Sequence, residues 1–68
     1  MMFGNRTMRL VEKVVVGDKI SLTSESECFV VAGIEKLPAG MVRFKFENGW
    51  SFSIRLRDMV YVESNHGS

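Results

Sequence analysis

At 68 residues with a formal charge of +1, the chain is expected to be a single domain near the lower limit for independent folding. That charge is too small to draw the whole molecule to nucleic acid or to an anionic membrane. The one cysteine, Cys28, excludes an internal disulfide, so a reducing, cytoplasmic setting is expected and the small core must hold without a covalent staple.

The opening "MMFGNRTM" carries neither the apolar run nor the cleavage site of a signal peptide. No stretch approaches the roughly eighteen continuous apolar residues of a membrane span, so no membrane partner is expected. From Met8 to Val16 the pattern fits either a strand or a short helix started by Asn5. Gly17-Asp18 in "VGDKI" reads as a tight turn leading into a strand from Lys19 to Leu22.

The next segment, "TSESECFVVAGIEKL", has two readings. Ser24 with Glu27 three residues later resembles a capping box, and Val30, Val31, Ile34 and Leu37 lie at helical spacing. Its β-branched density, Gly33 in the middle and Pro38 at the end favour a strand. That strand is apolar on both faces from Phe29 to Ala32. It therefore either bends to cover both sides of a barrel, with Gly33 as the natural bend, or turns one side to a partner. Pro38-Ala39-Gly40 is short enough for a hairpin connection.

Strict alternation follows: Val42, Phe44 and Phe46 against Met41, Arg43 and Lys45, then Trp50, Phe52, Ile54 and Leu56 against Ser51, Ser53, Arg55 and Arg57. Between them lies Asn48-Gly49, a strong hairpin signal. A two-residue loop would pair Glu47 with Trp50 and set the apolar side of one strand on the charged side of the next. A three-residue loop, Glu47-Asn48-Gly49, pairs Phe46 with Trp50, Phe44 with Phe52 and Val42 with Ile54. Gly49 then supplies the left-handed conformation of a type I turn plus bulge. This register predicts an outer face bearing Arg43, Lys45, Ser51, Ser53, Arg55 and Arg57. "RDM" has room for a turn of 3₁₀ helix before a last strand from Val60 to Glu63, and residues 64–68 read as a flexible polar tail.

These elements predict an all-β, small single-domain barrel of about five antiparallel strands over residues 1–63. Its core is expected on Val30, Ala32, Ile34, Val42, Phe44, Phe46, Trp50, Phe52, Ile54 and Leu56. The runs "VVVGDKI", "FVVAGIE", "VRFKFENGW" and "RDMVYV" resemble the Src-homology-3-like (SH3-like) barrel, in particular the small barrel proteins encoded by bacteriophages. The resemblance rests on turn motifs and covers residues 14 to 62. It implies a fold and not an activity. The aromatic groove by which eukaryotic signalling domains of that fold hold proline-rich peptides is not expected here, because Tyr61 is the sole tyrosine and Trp50 is assigned inward.

Candidate chemistry is sparse. Cys28 begins a strand and the sole histidine, His66, lies in the tail, so no nucleophile with an oriented base assembles and no enzyme activity is expected. Glu25 and Glu27 with Asp18 make an acidic loop region but too few fixed oxygens for calcium, so neither metal nor cofactor is expected. The remaining reading is a non-enzymatic binding module, a protein-interaction accessory or inhibitory protein that uses the basic hairpin face. The alternatives are a nucleic-acid-binding barrel, on the same cations, and an oligomer holding a small anionic ligand between subunits. Met2, Phe3 and Met8, with Phe29 and Val31 on the two-sided strand, are the expected homo-oligomer interface.

Overall fold

The computed structural model describes residues 5–64, which form one antiparallel sheet of six strands and contain no α-helix. The strands are β1 (Asn5–Leu10), β2 (Lys19–Ser21), β3 (Phe29–Leu37), β4 (Met41–Phe46), β5 (Ser51–Arg55) and β6 (Met59–Ser64), in the spatial order β1-β6-β2-β3-β4-β5. The sheet does not close, so β1 and β5 are its two edges. The sixth strand arises because the N-terminal segment pairs along β6, from Asn5↔Ser64 to Leu10↔Met59. Ser64 therefore belongs to the sheet rather than to the tail, while residues 65–68, Met2 and Phe3 lie outside the described residues.

β3 joins two halves of the sheet: its start pairs with β2 (Lys19↔Val30, Ile20↔Phe29), and residues 31–37 pair with β4. Between Val31↔Phe46 and Gly33↔Lys45 the register shifts, because β3 spends two residues where β4 spends one. Such a bulge bends a strand and changes which side chains face inward. The bend falls where Gly33 led one to expect it, and it corrects the parity of the expected core. Val31 points in and is 1% exposed, Val30 is half-buried, and Ala32 and Ile34 are exposed, so neither of the latter two is a core residue.

The halves fold over a core of Val11, Val14, Ile20, Val31, Val42, Phe44, Val60 and Val62, with Phe46, Ile54 and Leu56 packed against it. Each fully buried side chain of this kind contributes roughly 1.5–3 kcal/mol. Val11 opens a one-turn 3₁₀ helix (Val11–Lys13), and its N–H donates to the Asp58 carbonyl at 2.8 Å, which holds this plug across the end of the sheet. Val11 and Val14 are not among the expected core residues because the stretch from Met8 to Val16 fits either a strand or a helix and so fixes no inward face.

Turn chemistry sets the register elsewhere. At the tight turn of residues 15–18, the Asp18 N–H donates to the Val15 carbonyl (3.1 Å), and the Asp18 carboxylate accepts from the Val15 N–H (3.0 Å) and from Arg9 (3.0 Å). The segment around Arg57 corrects the expectation of a 3₁₀ turn. A single Asp58 N–H to Arg55 carbonyl bond (3.1 Å) closes a plain turn, and β6 begins at Met59. No helix among the described residues is long and apolar enough to cross a membrane.

Candidate functional site

The β4–β5 hairpin has the register that its alternation requires: Val42↔Ile54, Arg43↔Ser53, Phe44↔Phe52, Lys45↔Ser51 and Met41↔Arg55. The three-residue reversal is closed by the Phe46 N–H donating to the Trp50 carbonyl (2.8 Å) and the Gly49 N–H donating to the Phe46 carbonyl (3.0 Å). Gly49 has φ +94°, a left-handed conformation that a residue without Cβ adopts readily. Asn48 Oδ1 accepts the Trp50 N–H at 2.9 Å and so pins the first residue after the turn. One ribbon thus presents two chemically distinct faces.

On the outer face the cations are less free than the sequence suggests. Glu35 of β3 lies opposite Arg43 and accepts from its Nη1 at 3.0 Å, with Lys45 Nζ 3.7 Å from the same oxygen. Each partner is 40% or more exposed, so these pairs add at most about 1 kcal/mol. Their effect is on local charge, since one carboxylate offsets two of the four cations. Arg55 and Arg57 lie at the other end, where they line an open depression of about 470 Å³ with Glu12. The sequence reading paired β4 only with β5; aligning β3 against β4 would have found Glu35.

The inner face holds the feature that the sequence reading missed. Trp50 is on the apolar side, as parity demands, yet it is 64% exposed, and Phe52 is 39% exposed. The opposing half-sheet does not reach over them. Instead they flank an open groove of about 190 Å³ whose main apolar walls are Ile20, Leu22, Phe29, Phe46, Trp50 and Phe52. Phe29 anchors it, with ring centroids 5.4 Å from Trp50 and 5.8 Å from Phe46. Trp50 and Phe52 are therefore not core residues, and an aromatic groove is present where none was expected.

The other wall belongs to the β2–β3 loop, which contributes Ser26 and Glu27. Thr23 gives that loop its shape. Its Oγ1 accepts the Ser26 N–H (2.9 Å) and the Glu25 N–H (3.3 Å), while its carbonyl accepts from Ser21 Oγ (2.6 Å) and Arg6 Nη1 (3.1 Å). The hydroxyl-mediated turn replaces backbone pairing across a stretch of small polar residues. The acidic loop is thus folded against the mouth of the groove.

Of the residues expected at an oligomer interface, the three described ones, Met8, Phe29 and Val31, do not form one surface. Met8 is exposed on edge strand β1, Phe29 is stacked inside the groove, and Val31 is a core side chain with no surface to offer; that assignment of Val31 is corrected. Cys28 is half-buried beside Ser21, Arg6 and Glu63. Burial pushes its thiol above the ordinary value, a shift opposed by the Ser21 hydrogen bond and the Arg6 charge and reinforced by Glu63. A protonated thiol is a poor nucleophile. Among the described residues no three His, Cys, Asp or Glu side chains gather as metal ligands. Set against protein-family models, curated proteins and solved structures, the chain matches none.

Proposed function

We propose that the chain is a non-enzymatic protein-interaction module of the SH3-like barrel type, which receives an extended segment of a protein partner in the aromatic groove. The strand order supports the barrel reading: β2 to β5 form a meander and β6 returns beside β2, with β1 as an addition. The observation that carries the function is the open cluster of Phe29, Phe46, Trp50 and Phe52, because exposed aromatics ringed by polar residues are the usual anchors of protein recognition.

Size and polarity choose the occupant. Pockets for small organic ligands run to about 300–1,000 Å³, whereas this groove measures about 190 Å³ and is almost wholly apolar. It suits one or two apolar side chains of a peptide and gives an anion nothing to bind. Glu27 on the wall and Glu25 beside it favour a segment that also carries a lysine or arginine. The basic outer face is a weaker site, for protein or nucleic acid alike, because Glu35 offsets Arg43 and Lys45 and no aromatic stands among the cations.

Selection from a displayed random-peptide library tests the proposal. Enriched sequences should combine apolar residues with a neighbouring cation and should perturb the fluorescence of Trp50, the sole tryptophan. Trp50→Ala should weaken binding by about 30-fold or more, as loss of an interface anchor does, while Arg43→Glu should change it little. Absence of enrichment would refute the groove. Binding lost with Arg43→Glu and kept with Trp50→Ala would move recognition to the outer face, and a salt-sensitive gel shift would indicate nucleic acid.

A further inference from the structure

β5 is an edge strand whose free side is built for pairing. The Phe46 N–H to Trp50 carbonyl bond and the Leu56 N–H to Gly40 carbonyl bond (2.8 Å) fall at the two ends of one register. Because antiparallel ladders alternate, the main-chain groups of Phe52 and Ile54 point toward β4. Those of Ser51, Ser53 and Arg55 point away from it. Edge strands of this kind are ordinarily blunted by proline, lysine or an inward-pointing charge. Here the first four residues, Ser51 to Ile54, carry no charge and no proline.

From this placement we infer that two copies of the chain associate through antiparallel pairing of their β5 strands about a two-fold axis at Ser53. This inference does not rest on the peptide-binding reading, although both use the exposed faces of Trp50 and Phe52. Only a register centred on an outward residue lets every outward group pair: Ser53 with Ser53, and Ser51 with Arg55 of the second copy. The same register sets Phe52 against Ile54 and Trp50 against Leu56, so apolar side chains meet apolar side chains on the inner face. On the outer face the short, neutral serines keep the cations of the two copies apart.

Charge favours the arrangement over a parallel or shifted one. Glu27 stands at the Trp50 end of the groove, and Arg57 follows Leu56 at the other end of β5. Reversal of one strand against the other brings the acidic end of each copy to the basic end of its mate. The exposed Trp50 and Phe52 gain a second wall from the partner's apolar row. The other edge, β1, lacks this match: its Arg6 and Arg9 are committed to Thr23 and Asp18.

Sedimentation velocity of the full chain, with amide exchange measured in parallel, tests the inference. At about 100 µM, a concentration at which even micromolar affinities saturate, the chain should sediment at twice 7.7 kDa. The Ser51, Ser53 and Arg55 amides should be protected in a concentration-dependent way. Ser53→Pro removes an N–H that points away from β4, and should give a folded chain whose dimer is at least about tenfold weaker. Ser53→Glu keeps every amide and gains Arg43 as an opposite neighbour within the chain. It should also dissociate the dimer, because two carboxylates would then face each other across the axis. A monomer at this concentration overturns the inference, as does a dimer whose Ser53 amide exchanges freely or one that survives Ser53→Glu.

Discussion

One substitution, glycine to alanine, should have opposite effects at two positions of the same sheet. Gly49 has φ +94°, and a Cβ built there meets nothing within 4 Å, so crowding is not the obstacle. The backbone is: a left-handed conformation costs an L-residue about 1–2 kcal/mol, offset by about 0.4–1 kcal/mol because alanine lowers the entropy of the unfolded chain. Gly49→Ala should therefore destabilise by about 1 kcal/mol net. Gly33 lies at the β3 bulge outside the left-handed region, and its nearest neighbours would be Lys45 Cβ at 3.8 Å and Cδ at 3.9 Å, ordinary contacts. Only the entropic term remains, so Gly33→Ala should stabilise by about 0.4–1 kcal/mol. The total stability of a chain this size is roughly 3–10 kcal/mol, so both changes are measurable. Urea unfolding followed by far-ultraviolet circular dichroism, at one fixed protein concentration, reads the difference, and each kcal/mol should shift the melting temperature by about 4–8 °C. If Gly33→Ala proved as damaging as Gly49→Ala, the bend in β3 would depend on glycine itself rather than on the inserted residue.

Asp18 and Cys28 give two further tests. Asp18→Ala removes the acceptor for the Val15 N–H and the partner of Arg9, and should cost about 1–2 kcal/mol in a thermal melt. Asp18→Asn keeps the amide contact and should cost under about 1 kcal/mol, and equal losses would mean that the ion pair dominates. Cys28 should be alkylated by iodoacetamide more slowly than a free thiol, with the rate reaching half its plateau at a pH above that of free cysteine. The direction follows from the raised thiol pKa: a larger share of the group stays protonated as pH climbs. A half-rate pH below that of free cysteine would show that Arg6 and Ser21 outweigh burial.

The parts of this fold legible in the sequence were those under a single local constraint. The β4–β5 register followed from the parity of Phe44, Phe46, Trp50 and Phe52 together with the one glycine able to close the turn. Direction in or out was likewise readable for Val42 and Phe44. Burial was not, because it depends on what stands opposite: Trp50 faces inward yet no strand covers it, and Ile34, paired with the buried Phe44, is exposed all the same. Val31 was misplaced because Gly33 marks a bend without saying which residue of the apolar run before it is the inserted one. The Glu35 pairs and the groove arise from β3 and the β2–β3 loop meeting the hairpin, contacts that a reading of one hairpin at a time does not contain.

The three-residue reversal at Glu47, Asn48 and Gly49 works on the hairpin as a reading frame works on a gene. Losing or gaining a single residue there would carry Phe52 and Ile54 to the wet side and turn Ser51, Ser53 and Arg55 toward the valines, whereas a change of two would restore the sense of everything downstream. Descendants of this chain should therefore vary that tip by substitution, or in steps of two.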